Sequence, residues 1–132
     1  MKYLLDTNVC ISLLKGKGGV RNKVIEVGME NCYVSEITLA ELYYGAAKSE
    51  QPKHYSDVSF IEKYFGILPI RPALELFGRN RYELERIGHR LDDFDLLIGS
   101  TAIVNNLVVV THNTKHFDRI PRIIIEDWET AS

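Results

Sequence analysis

The chain has 132 residues, of which 45% are hydrophobic, 26% charged and 10% aromatic. This balance excludes a disordered or low-complexity chain, and the length suits a single domain spanning residues 1–132. The formal net charge of −2 lacks the basic excess of a dedicated nucleic-acid-binding protein, although a balanced total can conceal opposite patches.

Membrane insertion and secretion are not expected. The apolar runs are only about four residues long, as at 107–110, whereas a membrane-spanning helix needs about 20. Asp6 and Asn8 interrupt the apolar N-terminus, and no cleavage pattern of small residues follows. We therefore expect a cytoplasmic protein whose two cysteines, Cys10 and Cys32, are buried thiols rather than a disulfide or a zinc site.

Apolar and amphipathic stretches alternate along the chain. In chain order we predict a strand at 3–5, helices at 9–14 and 20–29, a strand at 32–34, helices at 35–48 and 52–64, a strand at 66–70, helices at 73–87 and 95–106, and strands at 108–110 and 123–125. Short apolar strands separated by helices indicate an α/β protein with a parallel sheet covered on both faces. Ligands of such sheets bind outside the carboxyl ends of the strands, so the residues that follow the strands are candidates for a functional site.

Polar and acidic side chains follow the predicted strands. Asp6 comes directly after the first strand, Glu41 lies early in the third helix, and Asp95 begins a helix that is apolar almost all round. Thr111 and Asn113 follow the fourth strand. Carboxylates packed together raise each other's pKa, and a hard divalent cation such as Mg²⁺ or Mn²⁺ removes their repulsion. Since such an ion activates water for in-line attack on phosphorus, phosphodiester hydrolysis is the chemistry that fits.

Each of these acids also has a structural interpretation. Asp6 can cap the first helix. Thr38 and Glu41 fit a capping box, and Asp92 with Asp95 fits another. Capping does not exclude metal binding, because a helix N-terminus stabilises anionic groups. The position of all these acids at the same end of their elements favours a shared site.

Two histidines suggest a different metal. His112 and His116 are four residues apart, but we expect them in a loop, and no third nitrogen or sulfur ligand is near them in the sequence. A zinc site needs more ligands of that kind, so the carboxylate site is the favoured interpretation.

Several short motifs, taken in order, carry a resemblance to a known family. They are LLDTN at 4–8, TLAEL at 38–42 followed by Gly45, DLLI at 95–98, VTHN at 110–113 followed by His116 and Phe117, and EDW at 126–128. With these motifs the chain resembles PIN-domain ribonucleases, and among them the VapC toxins of bacterial and archaeal toxin–antitoxin pairs. The resemblance covers nearly the whole chain.

The resemblance implies a three-layer α/β/α fold around a parallel sheet of about five strands, and an endoribonuclease that depends on Mg²⁺ or Mn²⁺ and inhibits translation and growth. Asp6, Glu41 and Asp95 fall on the family's metal-binding positions. The fourth position falls at or near Asn113, where many relatives carry Asp, and Asp118 is close enough in sequence to contribute instead.

The resemblance also implies partners. VapC toxins act on RNA, form homodimers, and are inhibited in hetero-oligomers by a small VapB-like antitoxin. Such an antitoxin wraps apolar grooves and places a basic side chain in the acidic site. Transfer, ribosomal and messenger RNA all remain open as the substrate.

The expected mechanism assigns a role to each site residue. Asp6 and Asp95 bind the cation directly, and Glu41 binds it directly or through water. Asn113 orients a ligand or the attacking water, and Thr111 is an accessory candidate. No His or Lys is needed as a general base, because the cation lowers the pKa of water. Four basic side chains are candidates for contacts with substrate phosphates, with a plain solvated surface as the alternative: Lys15, Lys17, Arg21 and Arg90.

Two other functions remain open. A PIN-like domain without catalysis would only bind partners, but such domains usually lose acids that this chain keeps. A receiver-like signalling domain also has acids at strand ends, but it needs an Asp after its third strand and a Lys after its last strand. Here Arg71 and Pro72 follow the third strand, and Glu126 follows the last one.

Overall fold

The computed structural model describes residues 1–129 of the chain. Within that range, five parallel strands form one sheet in the order β3-β2-β1-β4-β5. The strands are β1 (Tyr3–Leu5), β2 (Cys32–Ser35), β3 (Gly66–Leu68), β4 (Val108–Val110) and β5 (Ile125–Glu126). The register pairs Leu4 of β1 with Tyr33 on one side and Val109 on the other.

Helices connect the strands and cover the sheet. They are α1 (Thr7–Lys15), α2 (Val20–Val27), α3 (Glu36–Ser49), α4 (Pro52–Tyr64), α5 (Leu74–Arg86), α6 (Asp93–Val104) and α7 (Thr114–Phe117), with short 3₁₀ turns at Met29–Asn31 and Arg71–Ala73. Among residues 1–129, none of the helices is both long and apolar enough to cross a bilayer.

The two faces of the sheet carry separate cores. Successive residues of a strand point to opposite faces, so Leu5 and Val110 pack with side chains of α1–α4, whereas Leu4 and Val109 pack mainly with α5 and α6. A fully buried Leu or Val side chain contributes about 1.5–3 kcal/mol. The α/β/α arrangement of three layers, predicted from the resemblance, is confirmed.

Both cysteines are buried free thiols, as predicted. Cys10 and Cys32 belong to the core on the α1–α4 face. Burial raises the pKa of both thiols, that of Cys32 to about 12, so both remain protonated and act as small apolar side chains.

The strand order indicates where a ligand would bind to the sheet. The chain passes from β1 outward to β2 and β3, and then crosses to the other side of β1 to form β4 and β5. The carboxyl ends of β1 and β4 therefore flank the point where the order reverses, which is where ligands of open α/β sheets bind. Receiver domains have the order 2-1-3-4-5, so the observed order excludes the receiver-like alternative.

Helix boundaries differ from the predicted ones where side chains cap the helices. The Asp6 side chain accepts a hydrogen bond from the Val9 N–H, so α1 begins at Thr7 rather than at residue 9. Asp92 accepts from the N–H groups of Phe94 and Asp95, so α6 begins two residues earlier than predicted.

Three further predictions about local structure are wrong. Ser35 is the N-cap of α3, so Thr38 and Glu41 lie inside the helix and form no capping box. The last strand is Ile125–Glu126 rather than 123–125, because its register is set by pairing with Val109 and Val110. The segment after β4, expected as a loop, contains the short helix α7, which includes His116.

Candidate active site

Asp6 follows β1 and lies at the centre of the site. Its side chain is only 4% exposed. Its Oδ1 accepts from the Val9 N–H at 2.8 Å, and its Oδ2 accepts from the Thr111 hydroxyl at 2.5 Å. Burial raises the pKa of Asp6 against the opposing effect of these two hydrogen bonds, and the carboxylates of Glu129 and Glu41 raise it further. The capping role predicted for Asp6 is therefore real, and it fixes the carboxylate at the sheet edge.

Asp95 lies on the first turn of α6 with a half-buried side chain. Burial raises the pKa of its carboxyl to about 6, and the neighbouring carboxylates of Asp92, Asp6 and Glu41 contribute, while His116 opposes them. Because charges act on one another in this way only at short range, the fold has brought α6, β1 and α3 together at one edge.

Glu41 reaches the same edge from α3. Its Oε1 accepts from the Thr7 hydroxyl at 2.5 Å, and the Thr7 hydroxyl lies 3.1 Å from that of Thr38. These contacts join the first turn of α1 to the inward-facing side of α3. The Glu41 carboxylate is thus oriented by a neighbour of Asp6 rather than left to solvent.

The two candidates for the fourth site position lie in different clefts. Asn113 donates from its backbone N–H to the Thr111 hydroxyl at 2.9 Å, and its side chain lines a cleft beside α1. Asp118 is exposed and lines a separate cleft with Lys115 and Ile125. This arrangement favours Asn113, which remains a prediction.

The four basic rim candidates separate into three environments. Lys15 and Lys17 line the same cleft as Asn113. Arg90 lies in a shallow depression with Asp92, Asp93 and Phe94, next to the start of α6.

Arg21 has a structural role that the sequence did not predict. Its guanidinium donates to the carbonyl oxygens of Leu13 and Leu14, both at 2.8 Å. These are carbonyl groups at the end of α1, where helix carbonyls lack partners within the helix.

Three residues near the site were missed at the level of sequence. Thr7 orients Glu41 and sits inside the LLDTN motif, so its position beside Asp6 was an available signal. Glu129 acts on the pKa of Asp6, and Asp127 contacts His112. Asp127 lies inside the EDW motif, which was an available signal, whereas Glu129 carries no local signal because it approaches the site only through the fold.

The donor set fits a hard divalent cation. It consists of carboxylate oxygens from three distant segments, partly withdrawn from water, and like charges at that edge raise the pKa values of two of them. Oxygen ligands of this kind are preferred by Mg²⁺ and Mn²⁺. Within residues 1–129, the side chains as placed form no group of three or more His, Cys, Asp or Glu that could hold a metal ion, and the Asp6 oxygens and Oε1 of Glu41 accept from protein donors instead.

Comparison with known proteins identifies the family. The family model described as PIN domain matches residues 3–123. The chain is 36% identical over 132 residues to the tRNA(fMet)-specific endonuclease VapC of Salmonella typhimurium, covering 97% of this chain and 98% of that protein. It is 36% identical over 135 residues to Ribonuclease VapC2 of Rickettsia felis, covering 98% and 99% respectively. The chain is a PIN-domain protein of the VapC family.

Solved structures agree with this assignment. The PIN-domain protein superimposes on VapBC2 of Rickettsia felis, bound to a DNA fragment from its promoter, with a TM-score of 0.88 and 35% identity over 97% of this chain and 99% of that one. DNA-bound VapBC of Salmonella typhimurium gives a TM-score of 0.84 with 34% identity, covering 97% and 98%. The predicted family and fold are confirmed. Divalent-metal dependence is general among PIN-domain nucleases.

Proposed function

We propose that this PIN-domain protein is an endoribonuclease that uses Mg²⁺ or Mn²⁺ and acts as the toxin of a toxin–antitoxin pair. The observation that supports the proposal is that the charges of Asp6 and Glu41 act on Asp95 across three separate segments of the chain. Burial and the charges of Asp92, Asp6 and Glu41 together raise the pKa of Asp95 to about 6. A divalent cation would relieve both the cost of burying this carboxylate and its repulsion by neighbouring carboxylates. The similar proteins named as ribonucleases support the same activity.

The acidic residues would hold the cation. Asp6 and Asp95 would be its direct ligands, and Glu41 would bind it directly or through water. When bound, such a cation offsets charge on phosphate oxygens and lowers the pKa of nearby water, which makes in-line hydrolysis of a phosphodiester accessible near neutral pH.

Neutral side chains orient these ligands. The Thr111 hydroxyl and the Val9 N–H each hold one oxygen of Asp6, and Thr7 holds Glu41. Asn113, anchored through its N–H to Thr111, orients the attacking water or a substrate oxygen. Groups held in this way need little reorganisation during the reaction.

A transfer RNA is the favoured substrate. Two similar proteins, from Salmonella typhimurium and Shigella flexneri, are named tRNA(fMet)-specific endonucleases. Their similarity extends over 97% of this chain, so the elements that surround the acidic edge are all represented in those enzymes. We therefore propose the initiator transfer RNA as the substrate of this protein too.

A VapB-like antitoxin is the proposed protein partner. Similar chains were solved as VapBC complexes. In the present structure a largely apolar cleft of about 510 Å³ lies between α1, α3 and α4, with Leu14, Leu42 and Val58 in its wall and Glu41 at its edge. A cleft of this kind suits an apolar segment of the antitoxin whose basic side chain reaches the acids. Two copies of this chain would form a homodimer, and the antitoxin would bind to that dimer.

Cleavage of RNA by the purified protein tests the catalytic part. Initiator transfer RNA transcribed in vitro should be cut in the presence of Mg²⁺ and left intact when the metal is chelated. Asp95→Asn should abolish cleavage while the protein stays folded, whereas Glu50→Gln, at the exposed C-cap of α3, should cleave normally. Intact RNA with folded wild-type protein would instead favour a non-catalytic PIN-like binding domain.

Expression in a bacterial host tests the toxin part. Induction of the wild-type chain should stop growth, and induction of Asp95→Asn should not. Co-expression of its VapB-like antitoxin should restore growth. Normal growth with wild-type protein present in the soluble fraction would contradict the assignment as a toxin.

A further inference from the structure

A cleft beside the acidic edge, lined mostly by polar residues, contributes only Asn113 to the proposed chemistry. This cleft, which we call the α1 cleft, has a volume of about 390 Å³. Asn8 and Lys15 of α1, Lys17 just after it, and His112 and Asn113 after β4 line the cleft. Because the Asn113 N–H donates to the Thr111 hydroxyl, which in turn donates to Asp6, this cleft lies next to the acidic edge.

The charge in the α1 cleft suits a polyanion. Lys15 and Lys17 are exposed, and no carboxylate within residues 1–129 forms an ion pair with either ammonium. Glu129 also lines the cleft, but its Oε1 accepts from the Ser12 hydroxyl at 2.6 Å. The cleft thus has two positive lysine side chains and one carboxylate, that of Glu129, which accepts a hydrogen bond from Ser12. Exposed lysines of this kind suit the phosphate groups of a nucleic acid.

His112 is held in one orientation by Asp127. Its Nδ1 lies 3.0 Å from Oδ2 of Asp127, whose other oxygen accepts from the Glu129 N–H at 3.0 Å. The His112 side chain is 63% exposed and that of Asp127 18%, so an anchored carboxylate holds an imidazole at the surface. A carboxylate can only accept, so the hydrogen of the neutral ring sits on Nδ1. In the neutral ring the opposite nitrogen, Nε2, is then a hydrogen-bond acceptor.

A hydrogen-bond acceptor at this position could distinguish RNA from DNA. When water attacks phosphorus, the ribose 2′-hydroxyl takes no part in the chemistry, so a preference for RNA over DNA requires a separate contact with that hydroxyl. The 2′-hydroxyl is the group by which proteins distinguish RNA from DNA at a given position. Nε2 of His112, beside two lysines that suit the phosphates, has the chemistry to accept a hydrogen bond from it.

We propose that the α1 cleft binds the RNA strand next to the cleaved bond, with Lys15 and Lys17 on its phosphates and His112, oriented by Asp127, accepting from one ribose 2′-hydroxyl. This inference rests on the proposed ribonuclease function. It assigns the selection of RNA over DNA to His112 and makes Asp127 the positioning residue that orients His112.

A scan of single 2′-deoxy substitutions in an oligoribonucleotide substrate tests the inference. With the wild-type protein, removal of one 2′-hydroxyl at a nucleotide flanking the cleaved bond should lower kcat/KM about fivefold, the typical effect of one hydrogen bond. His112→Ala should lower kcat/KM by a similar factor on the all-ribose substrate and should be indifferent to that same deoxy substitution. This loss of coupling between a side chain and one substrate atom is a readout that a merely structural role would not produce.

Matched variants separate the sugar contact from the phosphate contacts. His112→Gln keeps an acceptor and should recover part of the coupling, whereas His112→Phe keeps a ring without nitrogen and should not. Lys17→Ala should reduce the magnitude of the salt dependence of KM by about 0.7 in log–log slope and leave the deoxy scan unchanged. His89→Ala, which removes an exposed histidine between α5 and α6, should behave as wild type.

The outcomes distinguish failure of the inference from failure of the function. If the wild type cleaves RNA but its deoxy scan matches that of His112→Ala at every position, His112 reads no hydroxyl and the inference is wrong. If His112→Ala weakens inhibition by the antitoxin while the scan is unchanged, the α1 cleft binds protein rather than RNA, which also overturns the inference. If the wild type cleaves no RNA under any metal condition, the proposed function itself fails, and the inference fails with it.

Discussion

The Thr7 hydroxyl donates a hydrogen bond to Oε1 of Glu41 at 2.5 Å, across 34 positions of sequence. It links the residue after Asp6 to the middle of α3, and so joins two of the three carboxylate-bearing segments. The bond is charge-assisted, and such bonds are shorter and about twice as strong as those between neutral groups. Glu41 is thereby held in one orientation beside the first turn of α1.

Removal of this hydroxyl should impair activity more than folding. Thr7→Val keeps the shape of the side chain and leaves Glu41 without its donor. We expect kcat/KM for RNA cleavage to fall about 10-fold or more, since supporting residues of metal ligands typically contribute 10–100-fold. Steady-state kinetics measure the loss. Thr7→Ser should restore most of the activity, and a Thr7→Val protein as active as wild type would show that Glu41 needs no such support.

Asp95 should make the metal-free protein less stable as pH rises. Its folded pKa of about 6 lies above the ordinary value of 3.8, so the folded state resists ionisation of this carboxyl and loses stability between those two pH values. Asp95→Asn cannot ionise. Above pH of about 6 in chelator it should be more stable than wild type by about 1–2 kcal/mol, after allowance for solvent screening of a half-buried group.

Chemical unfolding of both proteins in chelator at about pH 4 and about pH 7.5 measures this difference. The stability gain of Asp95→Asn should shrink at the lower pH, where the wild-type carboxyl is protonated. Asp118→Asn, at an exposed carboxylate, is the matched control and should show no comparable gain. A loss of stability in Asp95→Asn at neutral pH would contradict the prediction.

Asn113 rather than Asp118 should matter for cleavage. The two side chains lie in different clefts, and only Asn113 connects through Thr111 to Asp6. We expect Asn113→Ala to lower kcat/KM about 10–100-fold and Asp118→Asn to stay within about twofold of wild type. RNA cleavage assays with saturating Mg²⁺ compare the two. The reverse order would assign the fourth position to Asp118.

Arg21 should contribute to stability and not to substrate binding. Arg21→Ala removes two hydrogen bonds to carbonyl groups at the end of α1, and we expect the free energy of unfolding to fall by about 1–2 kcal/mol. Kinetics at moderate salt should show an unchanged KM. A raised KM with unchanged stability would return Arg21 to the substrate rim where the sequence first suggested it.

Much of the fold could be predicted because it follows from local patterns. Apolar runs at 3–5 and 108–110 were recognised as strands, and each alternates with helices of amphipathic spacing, which predicts a covered parallel sheet. The errors lie at helix ends, where neighbouring residues compete for the N-cap position. Asp92 begins α6 earlier than the apolar pattern suggests, and Ser35 rather than Thr38 caps α3, since several neighbouring residues could serve as caps and only the backbone geometry selects one.

The sequence by itself determined the order of the elements and the residue types at their ends, because periodicity and capping act over a few neighbouring residues. The positions of Asp6, Glu41 and Asp95 in their elements, together with the family resemblance, make them candidate site residues from sequence alone. Only the tertiary structure decided which side chains meet: the Thr7 bond to Glu41, the His112 pair with Asp127, and the separation of Asn113 from Asp118. Such contacts depend on how far apart in space two remote segments come to lie, and no local pattern encodes that distance.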